Sequence, residues 1–218
     1  MTESFSDIMM RVMDAGPSVT ASQTVKLPVE EVLQKAIKRG VDLLARRGRK
    51  FVIDSDNEKL FEYLALYFAR DESFPGDLYK GIMLRGDCGV GKSFPLTCFS
   101  GITSPVSYQP EKIVSCIDLL NIYQNKGPEG LSPYEFGVIV LDELSEKHDA
   151  SHYGNVQNVI QNMLELRYNY YVRTGKVMHV TTNLKNLKSI DMHYGARVYS
   201  RVHEMFNIKN IEGKDRRL

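Results

Sequence analysis

Two kinds of hydrophobic pattern run along the chain, helical spacing and short segments rich in apolar residues, of which residues 138–141 form an unbroken apolar run. Apolar residues recur at helical spacing over residues 29–45, 57–70 and 156–172, and each stretch predicts a helix with one buried face. Short apolar runs predict buried strands at residues 80–85, 113–116, 138–141, 177–180 and 208–211. Because strands and helices alternate, we predict the α/β class, with a parallel sheet of about five strands flanked by helices. The last strand is expected at an edge of the sheet.

The residues before this pattern differ in composition. Residues 1–24 are rich in Ser, Thr and Met, and we predict a flexible amino-terminal segment there. Its weakly amphipathic stretch fits either docking on a partner or a frayed terminus. Residues 25–50 are predicted to form a basic amino-terminal helix, with seven basic residues against the single acid Asp42 between Lys35 and Lys50. Its basic end fits either an ordinary solvated surface or a contact with nucleic acid.

The loop after the first strand carries the strongest signal for function. Residues 86–93 fill every fixed position of the phosphate-binding pattern G-x-x-x-x-G-K-[S/T], with the sequence Gly86-Asp87-Cys88-Gly89-Val90-Gly91-Lys92-Ser93. Glycines let the backbone fold closely around a polyphosphate with its N–H groups turned inward. Lys92 is expected to reach the β- and γ-phosphates, and the Ser93 hydroxyl is expected to hold Mg²⁺. The chain is therefore predicted to bind a nucleoside triphosphate in a P-loop NTPase sheet.

Polar residues follow two further strands. The strand at residues 138–141 ends in Asp142 and Glu143, about fifty residues after the phosphate loop. Ligands bind beyond the carboxyl ends of parallel strands, so Asp142 is expected to bind Mg²⁺, and Glu143 to orient and deprotonate the attacking water. Asn183 follows the strand at residues 177–180. Its amide fits either a contact with the γ-phosphate or the catalytic water, or a cap for the next helical turn.

Composition narrows the class of protein without identifying a function. The 218 residues are 43% apolar and 25% charged, which is typical of a soluble globular domain, and the net charge is +1. The sequence has no apolar run of about 18 residues or more, and no signal-peptide pattern at its start. Its three cysteines lack paired metal-ligand spacing, so we predict free thiols. We therefore expect a cytoplasmic protein with no membrane association.

The phosphate loop, the Asp-Glu strand end and the Thr-Thr-Asn strand end together resemble the AAA+ ATPases. The segment Tyr194-Gly195-Ala196-Arg197-Val198-Tyr199-Ser200-Arg201-Val202-His203-Glu204-Met205 further resembles the DnaC/IstB-like group. This group includes DnaC-type helicase loaders and IstB-type transposition helper ATPases. The resemblance covers roughly residues 51–217 and implies ATP as the nucleotide. We predict that residues 51–218 form the AAA+ ATPase domain. The residues alone leave GTP open.

The resemblance also implies a role for two arginines. Arg201 would act as an arginine finger on the nucleotide of a neighbouring subunit, with Arg197 as its companion. An arginine delivered across an interface neutralises charge on the transferring phosphoryl group. The two side chains lie four residues apart on a helix, so surface ion pairs or DNA phosphate contacts remain an alternative. Too few residues follow Arg201 for a helical lid, and we predict no carboxyl-terminal lid.

The leading functional hypothesis is a Mg²⁺-dependent ATPase that serves DNA replication as a helicase loader. It is expected to assemble on single-stranded DNA or a replicative helicase, and to be a homo-oligomer when active. An IstB-like transposition helper, which acts with a transposase, is the alternative within the same fold. A nucleotide-dependent adaptor with little turnover and a small-molecule kinase are alternatives from other classes. The preference for single-stranded or duplex DNA would separate the loader from the transposition helper.

Overall fold

The structure, a computed structural model, describes residues 27–102, 112–145 and 149–216. Its strands, in chain order, are β1 (Gly81–Arg85), β2 (Lys112–Ser115), β3 (Ile139–Leu144), β4 (Asp149–His152), β5 (Asn155–Asn158), β6 (His179–Thr182) and β7 (Phe206–Asn210). Its α-helices are α1 (Val29–Ala45), α2 (Glu58–Ala69), α3 (Ser93–Phe99), α4 (Cys116–Lys126), α5 (Ser132–Glu135), α6 (Val159–Thr174) and α7 (Lys188–Met205). The prediction for residues 1–24 lies outside the described residues.

Five of the strands form one parallel sheet in the order β2-β3-β6-β1-β7. The fold class and strand number are as predicted from the alternating pattern. From β1 the chain crosses to the edge strand β2, returns through β3 and β6, and then adds β7 on the other side of β1. The carboxyl ends of all five strands meet at one edge, where ligands bind in open α/β sheets. The phosphate loop follows β1, Asp142 and Glu143 lie near the end of β3, and Asn183 follows β6.

Helices cover both faces of the sheet and divide the core into two clusters. Helices α4, α6 and α7 pack on one face through buried residues that include Leu119, Met163 and Val202. Helices α1, α2 and α3 contribute to the other cluster through residues that include Val32, Phe61 and Phe99. Each apolar stripe read from the sequence is therefore a core stripe. No helix among the described residues is both long enough and apolar enough to cross a membrane.

A two-stranded antiparallel hairpin, β4–β5, precedes α6. The prediction of a helix from residue 156 was wrong, because residues 155–158 form β5 and α6 begins at Val159. The hairpin turn is at Tyr153 and Gly154, both with positive φ angles of 46° and 82°, as a tight hairpin requires. The Asn158 side chain then accepts a hydrogen bond from the N–H of Gln161 at 3.0 Å. This cap fixes the start of α6.

Several other boundaries differ from the predictions by a few residues. Strand β6 begins at His179 and β7 at Phe206, each two residues from its predicted start. Strand β2 ends at Ser115 because the Ser115 side chain and Asp118 form a capping box at the start of α4. Between α4 and β3, where no helix or strand was predicted, the chain forms a short 3₁₀ helix (Pro128–Leu131) and α5. Strand β3 extends to Leu144, so Asp142 and Glu143 lie within it, and β6 extends to Thr182, so Asn183 follows it directly.

Two buried polar side chains, Arg167 and His179, form hydrogen bonds to the backbone of other segments. Arg167 of α6 is 1% exposed and donates to the carbonyl oxygens of Glu135, Gly137 and Val177. Burial lowers the pKa of Arg167 to about 10. His179 accepts the N–H of Ile82 through Nδ1 at 3.0 Å, and burial lowers the pKa of its imidazole to about 3. The histidine is therefore neutral in the folded state over the physiological pH range.

Candidate nucleotide-binding site

The loop between β1 and α3 has the close backbone contacts that its glycines predict. Gly86 lies so near the last strand that a Cβ there would come within 2.2 Å of the Ile211 carbonyl oxygen. Gly89 and Gly91 have φ angles of 82° and 90°, which residues with side chains rarely adopt. Lys92 Nζ donates to the carbonyl oxygen of Gly86 at 2.9 Å. The loop is therefore closed by its own lysine at the point where a polyphosphate would be bound.

Helix α3 begins directly after this loop, at Ser93. Pro95 is its third residue and is buried. A proline at this position removes an N–H that has no partner inside the helix, because the first four N–H groups of any helix are unpaired. Pro95 is therefore compatible with the first turn, and Ser93 remains in the position that the motif requires.

Asp142 accepts hydrogen bonds from two hydroxyl groups on different elements. Ser93 Oγ of α3 and Thr181 Oγ1 of β6 each lie 2.5 Å from Oδ1 of Asp142. All three side chains are partly or fully buried at the carboxyl edge of the sheet. Carboxylate and hydroxyl oxygens are the ligands that Mg²⁺ prefers. The predicted metal residues Ser93 and Asp142 are thus adjacent, and their chemistry fits Mg²⁺.

Glu143 has an unusual backbone conformation next to this cluster. Its φ angle is 60°, in the left-handed region, and the pairing of β3 with β6 shifts register between Leu141 and Leu144. The N–H of Glu143 donates to Thr181 Oγ1 at 2.9 Å. The bulge leaves the Glu143 side chain exposed beside the crevice, whereas the flanking Leu144 is buried. Backbone strain of this kind clusters at functional sites.

Asn183 lies at the end of β6, opposite the phosphate loop. Its Nδ2 contacts Cys88 Sγ at 3.6 Å, and the side chain is exposed. The cap interpretation would require a hydrogen bond to the next helical turn, whereas the bond seen is to the loop. The structure thus brings the phosphate loop, Asp142, Glu143 and Asn183 together.

These residues line one crevice of about 490 Å³. The crevice is also lined by the apolar residues Leu43, Leu44, Phe51, Val52, Leu60 and Phe61. Its basic lining residues, besides Lys92, are Arg47, Arg49, Lys50 and Arg216. Apolar and cationic lining residues together suit a nucleotide, because its base is flat and largely apolar and its phosphates are anionic. A second groove of about 450 Å³, beside α5 and α6, contains none of the predicted site residues.

The two predicted arginines lie outside this crevice. Arg197 and Arg201 are on α7, and Arg197 is exposed. The guanidinium of Arg201 lies 4.3 Å from the centre of the Tyr168 ring, and its Nη1 is 3.5 Å from Glu165 Oε2. The Arg201 side chain is only 13% exposed. Within a single chain, therefore, neither arginine completes the nucleotide site.

Sequence reasoning missed two residues at the crevice. Thr181 belongs to the Thr-Thr-Asn strand end, but only the strand pairing shows that its hydroxyl meets Asp142. Arg216 belongs to the basic end of the sequence, and only the path of the chain brings it beside the phosphate loop. Thr181 could have been found from the sequence, as a hydroxyl residue close to Asn183 at a strand end. No local sequence pattern marks Arg216 as a crevice residue.

Comparison with known structures identifies the fold. The crystal structure of the DnaI protein has a TM-score of 0.57, with 19% identity over 85% of this chain and 95% of that chain. A crystal structure of the DnaC helicase loader has a TM-score of 0.55, with 17% identity over 74% of this chain and 93% of that chain. The AMPPCP-bound DnaA structure from Aquifex aeolicus has a TM-score of 0.51, with 17% identity over 77% of this chain and 50% of that chain.

No protein-family model and no curated protein matches the sequence. The assignment of the fold therefore rests on the similar structures. At identities of 17–19%, these structures show the fold alone. The described chain has a fold similar to those of the DnaC helicase loader and DnaI, an α/β fold built on a five-stranded parallel sheet, as predicted from the sequence.

Proposed function

We propose that this protein is an ATP-dependent accessory protein of DNA replication, of the helicase-loader type. One observation carries the proposal: the phosphate loop, the Ser93–Asp142 pair and Glu143 meet in one crevice. That arrangement supports a nucleoside triphosphatase, because it combines a phosphate cradle, oxygen ligands for Mg²⁺ and a carboxylate for water. The likeness in fold to a helicase loader supports the biological role. ATP is the expected nucleotide.

The proposed binding step uses the loop and its lysine. Lys92 Nζ now donates to the carbonyl oxygens of Gly86 and Asp87, at 2.9 and 2.7 Å. On nucleotide binding we expect the ammonium to turn from these neutral carbonyls to the β- and γ-phosphates, because charge-assisted bonds are stronger. Ser93 and Asp142 would hold Mg²⁺, which neutralises charge on the phosphate oxygens. Thr181 would keep Asp142 in place.

The proposed hydrolytic step uses Glu143 and Asn183. Glu143 is exposed to the crevice and can accept a proton from an attacking water. Asn183, which follows the neighbouring strand β6 and contacts the phosphate loop, can orient that water or the γ-phosphate through its amide. Arg201 of a neighbouring subunit would supply the remaining positive charge. In this proposal the active site is complete only in an oligomer.

Contact with DNA is proposed for the basic surface after α1. Arg46, Arg47, Arg49 and Lys50 are all exposed, and the last three also border the nucleotide crevice. Cations in this position would contact DNA phosphates without reading sequence, and binding would weaken as salt rises. Their place beside the crevice would link DNA binding to nucleotide binding.

The test is steady-state ATP hydrolysis with single-stranded DNA, duplex DNA or no DNA, repeated at several salt concentrations. The proposal predicts stimulation by single-stranded DNA that declines with salt, and no hydrolysis by Glu143→Gln. Arg173→Ala, which removes an exposed arginine far from the crevice, is the control and should respond normally. Stimulation by duplex DNA alone would instead favour the transposition helper. Nucleotide binding without turnover under all conditions would favour the adaptor.

A further inference from the structure

Helix α7 has a kink at Gly195, just before the part of the helix that carries Arg197 and Arg201. Gly195 has a φ angle of 82° and a ψ angle of 159°, a combination that essentially only glycine adopts. A Cβ on Gly195 would meet no atom of the described chain within 4 Å, so the backbone angles and not lack of space account for the glycine. The direction of residues 196–205 therefore depends on what holds the residues before the kink.

Tyr194, the residue directly before the kink, is bonded to the strand that carries the two acids of the crevice. Its side chain is 2% exposed, and its hydroxyl donates to the carbonyl oxygen of Ser145 at 2.6 Å. Ser145 follows β3 and lies two residues after Glu143. Burial raises the pKa of the Tyr194 phenol, so the hydroxyl keeps its proton and remains a donor at physiological pH. The first part of α7 is thus attached to the end of β3.

A second hydrogen bond joins the same part of α7 to α6. Asn158, which caps α6, donates from Nδ2 to the carbonyl oxygen of His193 at 3.4 Å. Helix α6 also contacts Arg201 beyond the kink, through the ring of Tyr168 and the carboxylate of Glu165. The strand β3 and the helix α6 therefore hold α7 on both sides of the kink.

The contacts that Arg201 makes with α6 leave one of its nitrogens without a hydrogen bond. Nη1 of Arg201 is buried, lies 3.5 Å from Glu165 Oε2 and forms no hydrogen bond within the part of the chain that the structure describes. A buried polar group without a hydrogen bond is costly, and the cost is larger for a charged one. The guanidinium is therefore held in place but not satisfied, which suits a group whose partner is a phosphate of another subunit.

We propose that Tyr194 is a positioning residue for Arg201, and that the bend at Gly195 sets the direction in which Arg201 is presented. The inference rests on the proposed function, in which Arg201 acts on the nucleotide of a neighbouring subunit, and adds the residues that place this arginine. The Tyr194 hydroxyl holds α7 at the end of β3, so the position of Arg201 depends on the strand that carries Glu143. Loss of the hydroxyl impairs hydrolysis in the neighbouring subunit and leaves the crevice of its own chain intact.

The test is ATP turnover by the full-length variant Tyr194→Phe, which lacks the hydroxyl and keeps the ring. We expect turnover to fall about 10-fold with the dissociation constant for ATP unchanged, because small displacements of a catalytic group are costly. Gly195→Ala should show the same pattern, since alanine does not adopt these backbone angles without strain.

Tyr67→Phe is the matched control for the loss of a buried hydroxyl. The Tyr67 hydroxyl donates to the carbonyl oxygen of Lys80 at 2.7 Å, and neither residue lines the crevice. This variant should lower the melting temperature about as much as Tyr194→Phe does, because both lose one buried hydrogen bond. Its ATP turnover should equal that of the wild type.

Mixing with Glu143→Gln subunits separates a misplaced Arg201 from a general structural defect. A Tyr194→Phe subunit has an intact crevice, and a Glu143→Gln neighbour supplies a correctly placed Arg201. An equal mixture should therefore reach about a quarter of the wild-type rate, compared with about a twentieth if the two variants do not complement each other. Failure to complement, or wild-type turnover by Tyr194→Phe alone, would overturn the inference.

The wild type and Arg201→Ala, measured in the same assay, distinguish this inference from the proposed function. If the wild type hydrolyses ATP, Arg201→Ala does not, and Tyr194→Phe behaves as wild type, only the positioning role of Tyr194 fails. If the wild type hydrolyses no ATP under any condition, both fail.

Discussion

The nucleotide crevice and the Arg197–Arg201 surface of α7 differ in how far one chain completes them. At the crevice, Ser93, Asp142 and Thr181 come from three separate elements and are already joined by hydrogen bonds. On α7, Arg201 is packed on Tyr168 and Glu165 of α6, neither of which lines the crevice. In the proposed function, the first region binds a nucleotide within one chain with groups that are already in position. The Arg197–Arg201 surface can act in hydrolysis only if the nucleotide of another subunit approaches it.

The largest predicted effect on ATP turnover is that of replacing Arg201 on the α7 surface. Arg201→Ala should lower ATP turnover about 10³-fold, the lower limit for loss of an arginine finger, with nucleotide affinity unchanged. Turnover and nucleotide affinity should be measured on the same preparation, at protein concentrations that permit assembly. The control is Arg173→Ala on α6. An equal loss of affinity and turnover would show that Arg201 supports the crevice of its own chain.

Lys92→Ala should have the next largest effect, and of a different kind. Removing this ammonium should lower turnover about 10²-fold to 10³-fold, as for other electrostatic donors to a transition state. Unlike Arg201→Ala, it should also weaken nucleotide binding, because the phosphate contact is made within one chain. Equilibrium titration with ATP would show the difference. Unchanged affinity in Lys92→Ala would contradict the assignment of this crevice.

Thr181→Val tests the support given to Asp142. The change removes the hydroxyl that donates to Asp142 and accepts from Glu143, with little change in volume. Loss of a group that hydrogen-bonds to a metal ligand typically costs 10-fold or more in metal affinity, so we expect about 10-fold more Mg²⁺ for half-maximal turnover. The matched control is Thr174→Val at the exposed end of α6. Removing Mg²⁺ with a chelator should abolish turnover in all variants.

The smallest predicted effect concerns stability and arises away from both regions. The folded-state pKa of His179 is about 3, below its ordinary value of 6.5, so the unfolded chain takes up a proton first as pH falls. The stabilisation is complete above pH 6.5 and is lost as pH falls towards 3. Between about pH 6.5 and 5 this group should reduce the free energy of unfolding by about 1–2 kcal/mol.

Urea denaturation over this pH range measures the contribution of His179. His179→Gln retains a side-chain acceptor for the Ile82 N–H and removes the titrating group. The variant should therefore show a shallower loss of stability with falling pH. An identical pH dependence in both proteins would contradict a neutral buried His179.

Sequence alone predicted the parts of the fold that depend on local pattern. The phosphate loop is continuous in sequence, the unbroken apolar run of residues 138–141 indicates the strand that carries Asp142, and the apolar residues of 177–180 indicate the strand before Asn183. The hairpin before α6 was missed because the apolar residues after Val156 also fit a helical period. The strained backbone at Glu143 depends on the strand register, and the Asp54–Arg216 ion pair depends on the path of the chain. Neither can be predicted from a short stretch of sequence.

The central claim, that Arg201 completes the active site of a neighbouring subunit, is tested most directly by mixing two inactive variants. Arg201→Ala retains Glu143, and Glu143→Gln retains Arg201. If the site is shared, ATP turnover in an equal mixture should recover to about a quarter of the wild-type rate, because random assembly pairs one intact crevice in four with an intact arginine. A mixture no more active than the two variants measured separately would contradict the claim.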